Sequence, residues 1–469
     1  MKASRIAQFA LGPIVAASVG AVATPLISWH YDVADVGRLN ILQTTTNLAV
    51  VLLFLGLDQA YVREYHESQS KAQVFATSMA LPVLLLVILA GAVAFVPMGV
   101  ASFLYGVDDP ALAWGTMAAI GTAVGVRALS LVVRMQERGL AFAASQSVPK
   151  ITLVAAVLLL GPLLPTAFGS LLGFTIAASA VALLPLSITT WRVWSQASWR
   201  RVNKPMLRTM LRYSVPLCLA SFASVSLSSA GSFTLRGAAS FTELGTYSVA
   251  VSVAGFAVVI QSIFSVVWAP ILYRSVADGS HLELVNKVRD RGLAVVTLAF
   301  AAAGMFSWLL DFILPREYGD VKFLVIATVA QPLLYTMSEI TSAGIGVTRR
   351  SSFALGATAI ALAVGIATNL VLVPVLGASG AVIASAAAFW LLFVLKTEAS
   401  ARIWHRYRRS RLHALMLLAI ALAIISVLLK NVGDILVPAL WGGYGLISVI
   451  ACWPAWRAML RRGADTQSD

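Results

Sequence analysis

Arg127 and Glu339 each interrupt a long apolar stretch, and each precedes a basic residue pair or cluster by the same 11 positions, Arg127 to Arg138 and Glu339 to Arg350. If the helices carrying them cross a membrane, each charge costs ~2.5–3.5 kcal/mol at mid-bilayer, so it should face an interior and find a partner. One reading makes them cavity or gate charges that pair across a cytoplasmic mouth. The other has each snorkel or pair locally. Asn40, Gln43 and Asn47 are spaced i, i+3, i+7 and share one helix face. Three large amides are costly against lipid, which points to a wet cavity, with helix–helix packing as the alternative. Ser221, Ser224, Ser228 and Ser232 form a second stripe, suited to interhelical hydrogen bonds. Arg63, Arg134, Arg138, Lys150 and Arg274 are read as lying near inner helix ends. Cations there could receive a pyrophosphate head group, or simply anchor the topology.

Other chemistry is missing from the sequence. His30, His66, His281, His405 and His413 show no metal-ligand spacing, and no nucleophile motif occurs. Asp108-Asp109 precedes Pro110 and reads as a helix-start turn. Cys218 and Cys452 both sit in apolar sequence and read as small core residues. No metal, cofactor or enzymatic activity is expected.

The elements that must position these residues follow from composition. Charged residues make up 12% of the chain and hydrophobic ones 59%, a balance that a water-soluble protein of this length could not hide. The apolar residues come in runs long enough for a bilayer core, which needs roughly 20 helical residues. Spans are expected at about 6–29, 37–57, 76–104, 111–133, 146–164, 166–190, 209–235, 244–268, 291–313, 321–347, 352–374, 379–397, 412–430 and 435–457. The fold class is thus an all-α polytopic membrane protein of about fourteen helices. Ala21-Val22-Ala23 resembles a signal-peptide cleavage site, but the apolar run continues to about Trp29 and is read as an uncleaved helix.

With both termini in the cytoplasm, 29 of the 34 Lys and Arg residues fall inside, while the acidic residues divide almost evenly. That bias is a topology signal. It accounts for the basic pI without any nucleic-acid partner. The most basic loops, at about 191–208 and 398–411, divide the helices as 6 + 6 + 2. The expected domains are therefore 1–195, 196–400 and 401–469. An internal repeat agrees. Asp35-Val36-Gly37 follows the first helix and Glu243-Leu244-Gly245 the seventh, Pro13 has a counterpart in Pro216, and the Pro162–Gly169 region corresponds to Pro374–Gly380. Six helices per half is even, so the halves face the same way, as in parallel transporter repeats.

Several short motifs carry a family resemblance. They are Asp35-Val36-Gly37, the stretch Leu55-Gly56-Leu57-Asp58-Gln59-Ala60-Tyr61-Val62-Arg63-Glu64-Tyr65, and Arg134-Met135-Gln136-Glu137-Arg138-Gly139. Trp268-Ala269-Pro270, Ser338-Glu339, and Asn369 with Pro374, Gly377 and Gly380 continue the series. With them, the chain resembles the polysaccharide and O-antigen flippases (Wzx-type) of the multidrug/oligosaccharidyl-lipid/polysaccharide exporter superfamily over about residues 1–400. The resemblance implies two six-helix bundles around a central cavity, alternating access and a lipid-linked oligosaccharide cargo. Membrane lipids, and possible contacts with a polysaccharide polymerase and a chain-length regulator, would be its partners, in the bacterial inner membrane. Two departures narrow it. The drug-exporting branch has a carboxylate inside the first helix, and residues 6–29 contain none. Lipid II flippases carry arginines within their first helices, and here Arg5 sits only at the start. A drug/cation antiporter and a membrane-embedded polymerase or glycosyltransferase are the rival readings.

Overall fold

The computed structural model describes residues 3–197, 202–278, 281–430 and 434–465. Lys2, Arg200 and Arg201, three of the expected inner cations, lie outside them. Among the described residues the chain is helical, with no strand. It divides into two compact units, Met1–Ser232 and Phe233–Asp469.

The first unit contains α1 (Ala3–Ser28), α2 (Val33–Phe54), α3 (Leu57–Glu67), α4 (Lys71–Phe95), α5 (Pro97–Tyr105), α6 (Pro110–Met135), α7 (Gly139–Leu160), α8 (Phe168–Thr189), α9 (Trp191–Ser195) and most of α10 (Lys204–Ala238). The cut between units falls inside α10, not in the basic loop before it. Large apolar side chains point outward along α4, as at Val87 and Ile88. In water that would be a liability; in lipid tails it is the ordinary outer face of a spanning helix. Inward packing uses small residues: a Cβ on Gly12 of α1 would lie 2.7 Å from the Ala143 Cα of α7.

Two expected spans of this unit are broken. The run 76–104 is not one helix, because the chain turns at Val96 and restarts with Pro97 in the first turn of α5. The second span bends by 47° between α2 and α3, where Leu55 and Gly56 both adopt left-handed backbone, with φ of 47° and 74°. Glycine is required at the second of these, since a Cβ on Gly56 would collide with the backbone carbonyl of Ser214 on α10. Leu57, Ala60 and Met210 pack around this bend.

The second unit contains the end of α10 and then α11 (Phe241–Val253), α12 (Gly255–Ala277), α13 (His281–Met305), α14 (Leu310–Ile313), α15 (Val321–Thr328), α16 (Ala330–Thr341), α17 (Ala343–Val347), α18 (Ser351–Ile403), α19 (Ser410–Leu428), α20 (Leu436–Ala451) and α21 (Trp453–Asp465). Its inner packing includes Trp268, Leu272, Val285 and Ala343. At 53 residues, α18 would be about 80 Å long at 1.5 Å per residue, more than twice a hydrocarbon core of about 30 Å. It is divided by Gly377, whose φ of 54° and ψ of −131° are not helical. The last two long helices belong to this unit's packing. Trp441 of α20 stacks on Phe300 of α13, with centroids 6.4 Å apart, and donates through Nε1 to Ser426 Oγ of α19 at 2.9 Å. α20 then bends by 73° into α21.

Among the described residues, nine helices are long and apolar enough to cross a membrane, or twelve if each of three bent pairs is one span. The protein is therefore a multi-pass membrane protein.

Candidate functional site

In the first unit the charged centre is Asp58 with Arg127. The left-handed turn at Leu55–Gly56 starts α3 one residue before Asp58, placing its carboxylate in the first helical turn, where backbone N–H groups favour an anion. Arg127, two turns inside α6, donates through Nη2 to Asp58 Oδ2 at 2.5 Å. The Asp58 side chain is only 12% exposed. Gln59 completes the site, donating its backbone N–H to Asp58 Oδ1 at 2.9 Å and its amide Nε2 to Oδ2 at 3.2 Å. Arg127 is thus paired inside its own unit, and its partner comes from the motif Leu55–Tyr65.

The amide stripe divides by exposure. Gln43 and Asn47 are exposed and Asn40 is half-buried. Asn40 Oδ1, Thr45 Oγ1 and Thr46 Oγ1 are buried without a hydrogen-bond partner. A buried polar atom left unpaired costs about 1–3 kcal/mol, so this segment of α2 carries unmet demand for a polar ligand or water.

The five cations each have their own surroundings. Arg63 of α3 lies over the Tyr213 ring of α10, 4.7 Å from its centroid. Arg134 ends α6 with its guanidinium 5.8 Å from the Phe142 ring. Arg138 is exposed at the turn before α7, and Arg274 is exposed in the last turn of α12. Lys150 is a correction. It is not near a helix end, because α7 begins at Gly139 and puts Lys150 at mid-helix. The small and apolar residues 139–145 continue the helix from the basic turn, so the span starts earlier than its most apolar run. Lys150 Nζ donates to the Ala16 carbonyl of α1 at 2.8 Å, beside Gly20, where a Cβ would lie 2.9 Å from Nζ.

In the second unit the corresponding centre is Glu339 of α16. It accepts a hydrogen bond from Ser265 Oγ of α12 at 2.5 Å. Lys396, in the second half of α18, lies 5.3 Å from the Tyr335 ring centroid and exerts a Coulombic pull on Glu339. Aligning Asp35-Val36-Gly37 with Glu243-Leu244-Gly245 brings Asp58 opposite residue 266, next to Ser265. So in each unit a charge on the fourth span meets the C-terminal half of the second.

The repeat motif itself has two jobs. Asp35 holds Arg38 Nη1 at 2.5 Å, and Arg38 Nε donates to the Tyr105 carbonyl at 3.2 Å. Glu243 instead accepts the Ala378 N–H at 2.6 Å, capping the helix that resumes after Gly377. Asp58, Ser265 and Lys396, none of them assigned a site role from the sequence, are thus the partners of Arg127 and Glu339. Lys396 carried a usable signal, a charge inside the apolar run 379–397.

Residues 6–276 match the profile of a polysaccharide biosynthesis protein. The chain belongs to that family. The match covers the Asp58–Arg127 centre and ends before Glu339 and Lys396. Comparison with curated proteins returns no match. Among solved structures, a lipid II flippase, MurJ, in an inward closed conformation is similar with a TM-score of 0.69 at 11% identity, over 97% of this chain and 99% of that one. A multidrug resistance MATE family transporter of the MOP superfamily, inward-facing, reaches 0.50 at 15% identity, over 84% and 95%. A MATE protein in complex with MaL6 reaches 0.51 at 14% identity, over 85% and 96%. At these identities the likeness establishes the fold: an all-helical membrane architecture of the flippase and transporter type.

Proposed function

We propose that the protein is a flippase moving undecaprenyl-pyrophosphate-linked oligosaccharide repeat units across the bacterial inner membrane by alternating access, for O-antigen or another surface polysaccharide. Fourteen crossings with both termini in the cytoplasm belong to this reading. The observation that carries it is the Asp58–Arg127 centre, an ion pair set within spanning helices of a polysaccharide biosynthesis protein. Such a pair is costly to build in a membrane and is favoured where it serves a polar passage. Arg63, Arg134, Arg138 and Arg274 would collect the pyrophosphate from the inner leaflet, with the geometry of a guanidinium suited to its oxygens. Lys150, deeper, would meet it after it leaves the surface. The Asn40–Asn47 face would hydrogen-bond sugar hydroxyls, and Arg127 and Glu339 would act as cavity or gate charges. No bond is made or broken in this cycle, so neither enzyme chemistry nor a cofactor is required. A polymerase and a chain-length regulator would receive the flipped unit.

The test is deletion and complementation in the source cell. Deletion should remove surface polysaccharide and leave lipid-linked repeat units on the cytoplasmic leaflet. The wild-type chain should restore the polymer and Arg127→Gln should not. Intact polysaccharide with raised drug sensitivity would replace this reading with the antiporter.

A further inference from the structure

A second polar centre of the second unit lies at the opposite end of α13 from Lys287, Arg289 and Arg291. There α13 ends at Met305, and the chain bends by 47° into the segment Ser307–Ile313. This segment, the start of α15, Asp434 and the first turn of α20 line a half-open cavity of about 280 Å³. That volume lies just below the range of about 300–1,000 Å³ usual for small-molecule sites. Lys322 lines it, with a side chain only 16% exposed, and donates to Asp311 Oδ2 at 2.9 Å and Asp434 Oδ1 at 2.7 Å. The Asp434 side chain is 75% exposed, which leaves its carboxylate further acceptor capacity. Trp308 and Phe312 form an aromatic wall, with ring centroids 5.9 Å apart at 81°.

We propose that this cavity binds one residue of a neutral or amino-sugar-bearing glycan. Three features select that chemistry. An indole face offers flat apolar area to the C–H face of a sugar ring and keeps a polar edge free. Two carboxylates accept from hydroxyl or ammonium donors, while the ammonium between them bonds to both and fixes their positions. One cation against two anions leaves the cavity net negative, so phosphate and uronic-acid groups are repelled. This also separates the cavity from the cationic places assigned to the pyrophosphate. The choice of a glycan over other polar rings rests on the function proposed above, and the cavity would then hold the sugar after it has crossed.

Binding can be measured without transport, so its failure would leave flipping untouched, and failed flipping would leave binding intact. The full chain in lipid nanodiscs is titrated with neutral, amino-sugar and uronic-acid oligosaccharides while tryptophan fluorescence is followed. The Trp308 contribution is the difference from Trp308→Phe. A saturable change with the neutral or amino-sugar ligands is expected, lost in Trp308→Phe, weakened at least fivefold in Asp434→Asn, and absent with the uronic acids. No saturable change, a change that survives in Trp308→Phe, or equal binding of acidic sugars would overturn the proposal. So would quenching of Trp308 by brominated lipid that no sugar relieves, which would make the aromatic wall part of the membrane-interface belt.

Discussion

Replacing Asp58 with Asn should destabilise the first unit, and adding Arg127→Gln should recover part of the loss. α6 has 26 residues and Arg127 lies eight residues before its end at Met135. At 1.5 Å per residue the helix is about 39 Å long and Arg127 about 12 Å from its end. Centred on a hydrocarbon core of about 30 Å, the helix overhangs by about 4–5 Å, which leaves Arg127 roughly 7–8 Å inside. An unpaired Arg at the bilayer centre costs ~2.5–3.5 kcal/mol. At this depth, with a side chain 41% exposed, roughly half of that applies. Exchanging a hydrogen bond to a charged acceptor for one to the neutral Asn carbonyl adds about 1 kcal/mol. The single variant should therefore lose about 2–3 kcal/mol, or about 4–12 °C in unfolding midpoint for a unit of this size. In Arg127→Gln the exposed carboxamide of Gln59 still serves Asp58, so the loss should be smaller. The double variant carries no unpaired charge, and the cycle should show a coupling of about 1 kcal/mol or more. Thermal unfolding of the purified chain and its three variants in one detergent provides the numbers. If the two single losses simply add to within about 0.5 kcal/mol, the two side chains do not support each other and the centre described here is wrong.

Three further outcomes follow from the same geometry. Gly56→Ala should lower the unfolding midpoint more than the Asp58→Asn variant, since it combines left-handed strain of ~1–3 kcal/mol with a clash against the Ser214 carbonyl; an unchanged midpoint would mean the bend is not needed. Glu243→Ala should cost about 0.5–2 kcal/mol as a lost helix cap, and hydrogen exchange should accelerate at Ala378 and its neighbours rather than along α11. Tyr407, in the loop between α18 and α19, has its phenol pushed up to about 12 by burial, and its hydroxyl is buried without a hydrogen-bond partner. The folded state therefore holds this proton between about pH 10 and 12 while the unfolded chain releases it, so stability falls across that window and not below it. Tyr407→Phe should be nearly neutral at pH 7 and should flatten that part of the stability–pH curve.

The spans were readable because a bilayer imposes one crude demand, length of apolar sequence, and composition alone answers it. The breaks within spans were less so. Pro97 carries a local reason that a propensity argument can see. The bend at Leu55–Gly56 does not, because its cause is the Ser214 carbonyl on a distant helix. Lys150 was misplaced for a related reason. The helix it occupies starts in small residues beside a basic turn, where hydropathy is weakest but helix formation is unopposed.

Partners are a different problem from positions. Periodicity relates residues on one helix, so it could align Asn40 with Gln43 and Asn47. It has no means of relating Asp58 to Arg127, which lie 69 residues apart. Cost is what bridges the gap. A charge inside a span must be compensated, so the search for Arg127's partner reduces to the few carboxylates that a helix start or bend can place at the same depth. Asp58, one residue after the left-handed turn, was among them. The same rule applied to Glu339 leads to Lys396, the cation inside the run 379–397. Arg127 and Glu339 share a place in the repeat and opposite signs, and each is answered by a different residue type: an ion pair in one unit, and a serine with a more distant lysine in the other. The two units thus present a firmly neutralised cation and a loosely held anion. On the flippase reading proposed above, that difference in electrostatic commitment would leave Glu339 the freer of the two to change partners.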